Sequence, residues 1–254
     1  MRIPFRLPLT AALLLASQQH ALAAASILIW PIDPVIEDQQ QATALWLENR
    51  DSKPVYMQIR VLGWRQTAGK DDYSNQSDVI ASPPVASIAP GKRQLIRLIK
   101  QSAPAAGQER AYRILVDEVP VKEQSSGAAP GGAEMGLKFQ MRYSVPLFVS
   151  GKGIWTKQDS EKPRDYATAS QPQLSYRLQQ QSSERWLEVR NQGAVHARIS
   201  KVTLQGRSLN PGLMGYVLPG SQMRFALPPA GGFSSGKLMA TVNDNKQPVA
   251  IPSY

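Results

Sequence analysis

Residue types that carry out nucleophilic and metal-assisted chemistry are scarce in this sequence. The 254 residues contain no Cys, which excludes a Cys nucleophile and a thiolate zinc site. Of the two His, His20 lies in an N-terminal segment that we predict to be removed, which leaves His196. Apolar and polar residues alternate around His196 as they do in a β-strand, and no nucleophile elbow is present there. We therefore interpret His196 as a structural or surface residue and predict no catalytic residue.

Acidic residues do not form a recognisable metal site either. Asp and Glu total 19, and no His, Asp or Glu residues show the spacing of metal ligands. Asp71 and Asp72 follow Lys70 in a polar stretch that is typical of a solvated turn. The glycines from Gly127 to Gly132 follow a predicted strand but lead into no helix, so they are interpreted as a linker rather than a phosphate-binding loop. The sequence predicts no metal, no cofactor and no enzymatic activity.

The N-terminal residues have the features of a secretory signal peptide. Arg2 and Arg6 form a short basic segment before an apolar run over residues 7–16. Ala21-Leu22-Ala23 then supplies small residues for cleavage by signal peptidase. The run of about ten residues is shorter than the roughly 20 that a membrane-spanning helix needs. We predict a signal peptide over residues 1–23, export to the periplasm and no membrane insertion.

The charge balance suits three kinds of partner. The formal net charge is +10, and it becomes +8 when Arg2 and Arg6 are removed with the signal peptide. Such a charge suits nucleic acid, an anionic membrane surface or an acidic protein. Nucleic acid does not fit an exported protein, and the Lys and Arg are scattered rather than clustered. We predict no nucleic-acid partner and interpret most of the charge as a soluble basic surface.

The chain after the signal peptide alternates apolar and polar residues with the period of two that is typical of β-strands. Residues 55–61 and 45–48 show this alternation, and turn residues follow at 49–52 and at Pro90-Gly91. No segment has the pattern of a helix of three turns. Several short strands separated by turns favour an all-β protein built from antiparallel sandwiches.

Two irregular segments divide this pattern. Residues 120–134 are rich in Gly, Pro and Ser and are predicted to form a long loop. Residues 150–170 contain Gly, Pro and many charges, and alternation resumes after them. We therefore expect two domains, at residues 24–153 and 154–254.

An unusually long apolar strand follows the loop. We predict that it runs over residues 135–149, well beyond the usual length of about five or six residues. Such a strand could cover the protein's own core, or it could pair with another chain, because long apolar edges recruit strands. Six apolar residues occupy every second position and would share one face: Met135, Leu137, Phe139, Met141, Tyr143 and Val145.

Several motifs, taken in order, resemble the PapD-like family of periplasmic pilus chaperones. The likeness covers nearly all of the chain after the signal peptide, and it is most similar to the archaic branch that serves Csu-type pili. The motifs are Ser82-Pro83-Pro84, Ile88 with Pro90-Gly91, residues 94–98, the strand 109–120 before the loop, the MRYSVPLFV ending at 141–149, and residues 191–200 and 215–221 in the second half.

The resemblance implies both a fold and a function. The fold is two immunoglobulin-like β-sandwich domains in a boomerang arrangement. The function is to bind pilins and a tip adhesin that lack a final strand, and to deliver them to an outer-membrane usher. Matching the donor strand places Leu137, Phe139 and Met141 in the subunit's empty pockets, with Met135 and Tyr143 at either end. Self-association is expected when the chaperone is free, because the edge is apolar.

The sequence departs from the family at the carboxylate anchor. Characterised members hold the subunit's C-terminal carboxylate with an Arg on the first strand and a Lys near the end of the donor strand, and the matching positions are Asp33 and Pro146. Neither can bind a carboxylate through a positive charge. Arg97, Arg113 and Arg142 lie on predicted strands nearby, and each could form a forked pair with a carboxylate or a structural ion pair. We hypothesise that at least one replaces the missing anchor.

Two other classes of function fit an exported all-β protein. A pilin or adhesin subunit would need an N-terminal donor extension, whereas the residues after Ala24 enter a predicted strand at once. A carbohydrate-binding or hydrolytic β-sandwich would need clustered carboxylates or a calcium site, and the sequence shows no such clustering. Both alternatives are less consistent with the sequence than a chaperone.

Overall fold

The computed structural model describes residues 27–120, 140–158, 162–182, 184–227 and 236–254. The predicted signal peptide at 1–23 lies outside this part of the chain. The described residues form 17 β-strands and one short 3-10 turn at Tyr166–Thr168, with no α-helix among them. They include no helix that is long and apolar enough to cross a membrane.

Strands β1 to β10 form two sheets that face each other. One sheet has the strand order β1-β3-β8-β6, and the other has the order β2-β10-β9-β4-β5, with β7 also paired to β4. The strands are β1 (Ile27–Trp30), β2 (Val35–Ile36), β3 (Ala42–Asn49), β4 (Val55–Thr67), β5 (Lys70–Ser74), β6 (Val79–Ser82), β7 (Val85–Ile88), β8 (Arg93–Lys100), β9 (Glu109–Glu118) and β10 (Arg142–Ser150).

The alternation seen in the sequence places the core between these two sheets. In β4, Val55, Met57 and Ile59 are buried, while the residues between them are exposed. Leu45 and Leu47 of β3 reach the same core from the opposite sheet. Side chains on alternate positions of a strand point to opposite faces, so one face of each sheet is apolar and packed.

One prediction about this half is wrong. Asp71 and Asp72 lie in strand β5 rather than in a turn. The turn is the two-residue connection Ala68-Gly69, where both residues have positive φ, as tight hairpins require. Every residue of β5 is exposed, so this strand lacks the apolar alternation by which a strand is recognised.

Strands β11 to β17 form a second sandwich. Its sheets have the orders β11-β12-β15 and β14-β13-β16-β17. Its core includes the buried Leu187, Val189, Ile199, Val202 and Leu204. The strands are β11 (Leu174–Gln181), β12 (Glu184–Asn191), β13 (Ala197–Leu204), β14 (Arg207–Val217), β15 (Gln222–Ala226), β16 (Leu238–Val242) and β17 (Val249–Ile251).

A small aromatic cluster joins the two sandwiches. Trp64 and Phe148 of the first sandwich pack with Leu218 and Tyr216 of the second. Gln66 adds two hydrogen bonds: its Nε2 donates to the carbonyl oxygen of Tyr216 at 2.9 Å, and the Leu218 N–H donates to its Oε1 at 2.8 Å. Strands β4 and β10 are therefore held against the second sandwich.

Candidate functional site

Strand β10 has an open edge. Strand β9 pairs with it along its whole length, from Arg142 to Ser150. On the other side β2 pairs only with Phe148 and Val149. Among the described residues, no strand pairs with that side of β10 from Arg142 to Leu147. Such an edge can accept a further strand, because its backbone donors and acceptors are not used within the sheet.

The apolar face of β10 is continuous with the core of the first sandwich. Val145, Leu147 and Val149 are buried in that core, and Tyr143 packs against it. Met141 has the same parity, immediately precedes β10 and is 37% exposed. The predicted stripe therefore leads out of the core towards the surface at Met141. Its other three members, Met135, Leu137 and Phe139, lie outside the described residues.

The edges of both sheets meet at Tyr143. The N–H of Ile27, in edge strand β1, donates to the Tyr143 hydroxyl oxygen at 3.4 Å. Strand β1 pairs with β3 and, among the described strands, with no other. Strands β1 and β10 therefore border the same side of the sandwich, and a strand added to β10 would lie where the core approaches the surface.

Arg142 lies at the open edge, and its side chain is already paired with a carboxylate. Its guanidinium forms an ion pair with Asp117 of β9, and Arg60 Nη2 lies 2.7 Å from the other oxygen of that carboxylate. Burial opposes the ionisation of Asp117, but hydrogen bonds from Arg142 and Arg60 outweigh it and lower the pKa of the carboxyl group. Asp117 therefore neutralises part of the charge that Arg142 could offer to a partner.

Arg113 lies where the two sandwiches meet. Its guanidinium carbon is 3.7 Å from the centre of the Trp64 ring and 5.3 Å from the centre of the Tyr216 ring. Its Nε is buried and has no hydrogen-bond partner. Arg113 is paired with Pro146 across the β9–β10 ladder, so the two side chains share one face of the sheet. A guanidinium held between aromatic rings is ordered and retains planar donors.

Arg97 belongs to a different surface. It lies on β8 between Ala44 of β3 and Ser82 of β6. Its neighbours Ile96 and Leu98 point into the core, so Arg97 points to the outer face of the first sheet, where it is exposed. The structure therefore brings Arg113 and Arg142 together on one sheet and separates Arg97 from them.

Asp33, which the resemblance matches to the first anchor position, is paired with a lysine that the sequence did not indicate. Lys157 Nζ is 2.5 Å from Asp33 Oδ1 and also donates to the Asp33 carbonyl oxygen at 2.8 Å. The two residues are 124 positions apart, so no local pattern predicts their contact. The negative charge of Asp33 is thereby compensated within the protein.

His196 is a structural residue at the junction of the sandwiches. It is buried, and its ring stacks on Phe148 at 3.4 Å between centroids. Its backbone N–H donates to Glu109 Oε1 at 2.8 Å, and its Nδ1 lies 3.0 Å from each Glu109 oxygen. No group of three or more His, Cys, Asp or Glu in the described part of the chain could hold a metal ion.

Comparisons with known proteins identify the family. Residues 34–154 match the family of the pili and flagellar-assembly chaperone, PapD N-terminal domain. The structure is similar to the chaperone CsuC in its pre-assembly complex with the tip adhesion subunit CsuE, from the archaic chaperone–usher Csu pili of Acinetobacter baumannii. The identity is 34%, the match covers 91% of this chain and 100% of that chain, and the TM-score is 0.71. This chain belongs to the PapD-like family of pilus assembly chaperones.

More distant structures share the fold of this chaperone. The E. coli chaperone DraB is 17% identical, with 86% of this chain and 92% of that chain covered and a TM-score of 0.57. The Salmonella enterica complex of SafA pilin with the SafB chaperone gives 16% identity, 87% and 91% coverage, and a TM-score of 0.58. No curated protein matches the sequence. The predicted all-β fold with two immunoglobulin-like domains is confirmed.

Proposed function

We propose that this chaperone captures pilus subunits in the periplasm by adding its own strand to their incomplete sheet. The observation that carries the proposal is the open edge of β10, whose apolar face is continuous with the protein's core. In strand addition, backbone groups along the edge bond to the partner, and alternate side chains enter the partner's pockets. The chaperone then passes the subunit to an outer-membrane usher.

The comparisons support pilus subunits as the partners. The CsuC structure contains a tip adhesion subunit, and the SafB structure contains a pilin. By this likeness we propose that pilins and a tip adhesin bind to β10 and to the residues that precede it. The free chaperone is proposed to self-associate through the same edge, because an unpaired apolar edge recruits other strands.

Three side chains are proposed to fill the pockets of the subunit. They are Leu137, Phe139 and Met141, with Met135 and Tyr143 at either end of the donated segment. Burying each of the three stabilises the complex by about 1.5–3 kcal/mol before the costs of association are subtracted. The two methionines are flexible and suit a surface that binds several related subunits.

Arg113 is the favoured replacement for the carboxylate anchor. It lies beside Pro146, the second anchor position, and its buried Nε has no hydrogen-bond partner. Arg142 is already paired with Asp117, and Arg97 lies on the outer face of the other sheet. A forked, charge-assisted pair with a carboxylate at Arg113 would hold the end of the subunit at the junction of the sandwiches.

The proposed mechanism is binding, with no bond made or broken in the partner and no nucleotide consumed. The donated strand occupies the subunit's groove until the N-terminal extension of the next subunit displaces it. The strand therefore acts as a temporary substitute for a missing part of the subunit's own fold.

Co-expression with a pilin subunit from the same genome tests this function. A chaperone with Leu137, Phe139 and Met141 replaced by Asn is expected to lose subunit capture in a periplasmic pull-down. The matched control replaces Lys138 and Gln140, which lie at the intervening positions, by Ala and is expected to capture the subunit normally. Equal capture by a folded triple variant would refute strand addition by this segment.

A further inference from the structure

The backbone groups of β10 are divided between its two sides. In an antiparallel pair, alternate residues bond to the partner strand, and the residues between them direct their N–H and C=O groups the other way. The Glu118 N–H donates to the carbonyl oxygen of Met141 at 3.0 Å, and the Gly151 N–H donates to that of Gln108 at 2.8 Å. The odd-numbered residues around and within β10 therefore direct their backbone N–H and C=O groups towards β9.

The even-numbered residues direct their backbone N–H and C=O groups towards the open side of β10. The Phe148 N–H donates to the carbonyl oxygen of Pro34 at 3.2 Å, on the side where β2 begins. By the same alternation, the peptide groups of Arg142, Ser144 and Pro146 point to that side. Two N–H groups are thus presented along the edge, those of Arg142 and Ser144.

Pro146 interrupts this row of donors. Proline has no backbone N–H, and within sheets it is tolerated where the missing donor would face away from the ladder. The next donor on the open side is the Phe148 N–H, which is already bonded to Pro34. Pro146 itself is buried and lies opposite Arg113 in the β9–β10 ladder.

We propose that Pro146 is a stop that ends the incoming subunit strand and thereby sets its register. The incoming strand bonds to Arg142 and Ser144 and leaves the edge before Pro146, because a carbonyl group placed there would lose water and find no donor. Register matters since a shift by one residue turns every side chain to the opposite face. The proposal rests on strand addition at β10, the proposed function.

Amide exchange of the labelled chaperone, measured free and in complex with a co-expressed pilin subunit, tests the stop. In the wild-type complex the N–H groups of Arg142 and Ser144 are expected to exchange at least about tenfold more slowly than in the free protein, as expected when one hydrogen bond is gained. Pro146→Ala restores a donor, and the new Ala amide is expected to become protected in the complex as pairing extends. An amide at this position that exchanges equally fast in both states would overturn the stop.

The same experiment separates the two proposals. If the Arg142 and Ser144 amides of the wild type gain no protection, strand addition at β10 fails, and the proposed function fails with it. If they gain protection while the Ala amide of the variant does not, strand addition stands and the stop alone is wrong.

A second pair of variants tests the proposal even if Pro146→Ala does not fold. Ser144→Pro moves the stop two residues towards the start of β10 without removing a bond to β9, and it is expected to weaken subunit capture about tenfold, the cost of one backbone hydrogen bond. Ser144→Ala keeps the N–H and is the matched reference for Ser144→Pro. Equal capture by Ser144→Pro and Ser144→Ala, with equal melting temperatures, would contradict the proposal.

Discussion

The proposed role of Arg113 leads to a quantitative prediction about the end of the pilus subunit. Its guanidinium is held 3.7 Å from the Trp64 ring, and its buried Nε lacks a partner. A hydrogen bond to a charged group contributes about 1.5–3 kcal/mol, so Arg113→Met is expected to weaken binding of the subunit about 10- to 150-fold. Met keeps the apolar stem and removes the fork of donors.

Part of this effect must be separated from a loss of stability. Arg113 also contacts Trp64 and Tyr216 through its charge, and losing a cation–π contact costs about 1 kcal/mol. Binding is therefore measured by competition at a temperature where wild type and variant are both folded. Arg97→Met is the matched control, since Arg97 lies on the outer face of the other sheet.

A double-mutant cycle with the subunit decides the assignment. A second form of the subunit carries a short Gly-Ser extension, which moves its terminal carboxylate away from Arg113. The loss caused by Arg113→Met is expected to disappear with this extended subunit, giving a coupling energy of about 1.5–3 kcal/mol. An equal loss with both forms of the subunit would refute the anchor and leave Arg113 as a structural residue.

Three further predictions concern stability and can be checked by denaturant or thermal unfolding. Gly151→Ala is expected to destabilise the first sandwich by more than about 3 kcal/mol, because a Cβ there would overlap the Ala105 carbonyl oxygen; unchanged stability would show that this backbone can move. Glu188→Gln is expected to cost about 3 kcal/mol, because the buried carboxylate accepts hydrogen bonds from Arg177, Arg224 and Tyr254; a loss below about 1 kcal/mol would contradict this account. Burial opposes the ionisation of Glu188, but hydrogen bonds from those groups outweigh it, so folding lowers the pKa of this carboxyl group from 4.5. The contribution of Glu188 to the stability of the fold is therefore complete above about pH 4.5 and is lost as the pH falls below it. Glu188→Gln should flatten this decline in stability.

Much of the fold could be predicted because apolar alternation reports the buried face of a strand. The alternation in residues 55–61 predicts part of β4, and that in residues 45–48 predicts part of β3. The same signal fails where a strand buries nothing, which is why the sequence predicts a turn at Asp71 and Asp72 where the structure has β5. The division between domains at residues 153 and 154 stays a prediction.

The candidate site could be predicted only in part. Alternation placed Met141 and Tyr143 on the same face as the buried Val145, which the register of β10 explains. Alternation could not show which side of β10 is unpaired, since that depends on pairing with β2, whose residues are more than 100 positions away in the sequence. Nor could it rank the three arginines, because the partners of Arg113 and Arg142 come from other strands and, for Tyr216, from the other sandwich.

The continuity between the β10 stripe and the chaperone's core has a thermodynamic consequence. A subunit that binds to this face shares a hydrophobic core with the chaperone, so its binding should resemble the last step of folding. The heat capacity should fall strongly on association, as it does when apolar surface is removed from water. Chaperone and bound subunit should then unfold in one cooperative transition at a higher temperature than either alone. Spontaneous release would expose that shared core and should be slow, so that subunits leave in exchange for a competing strand.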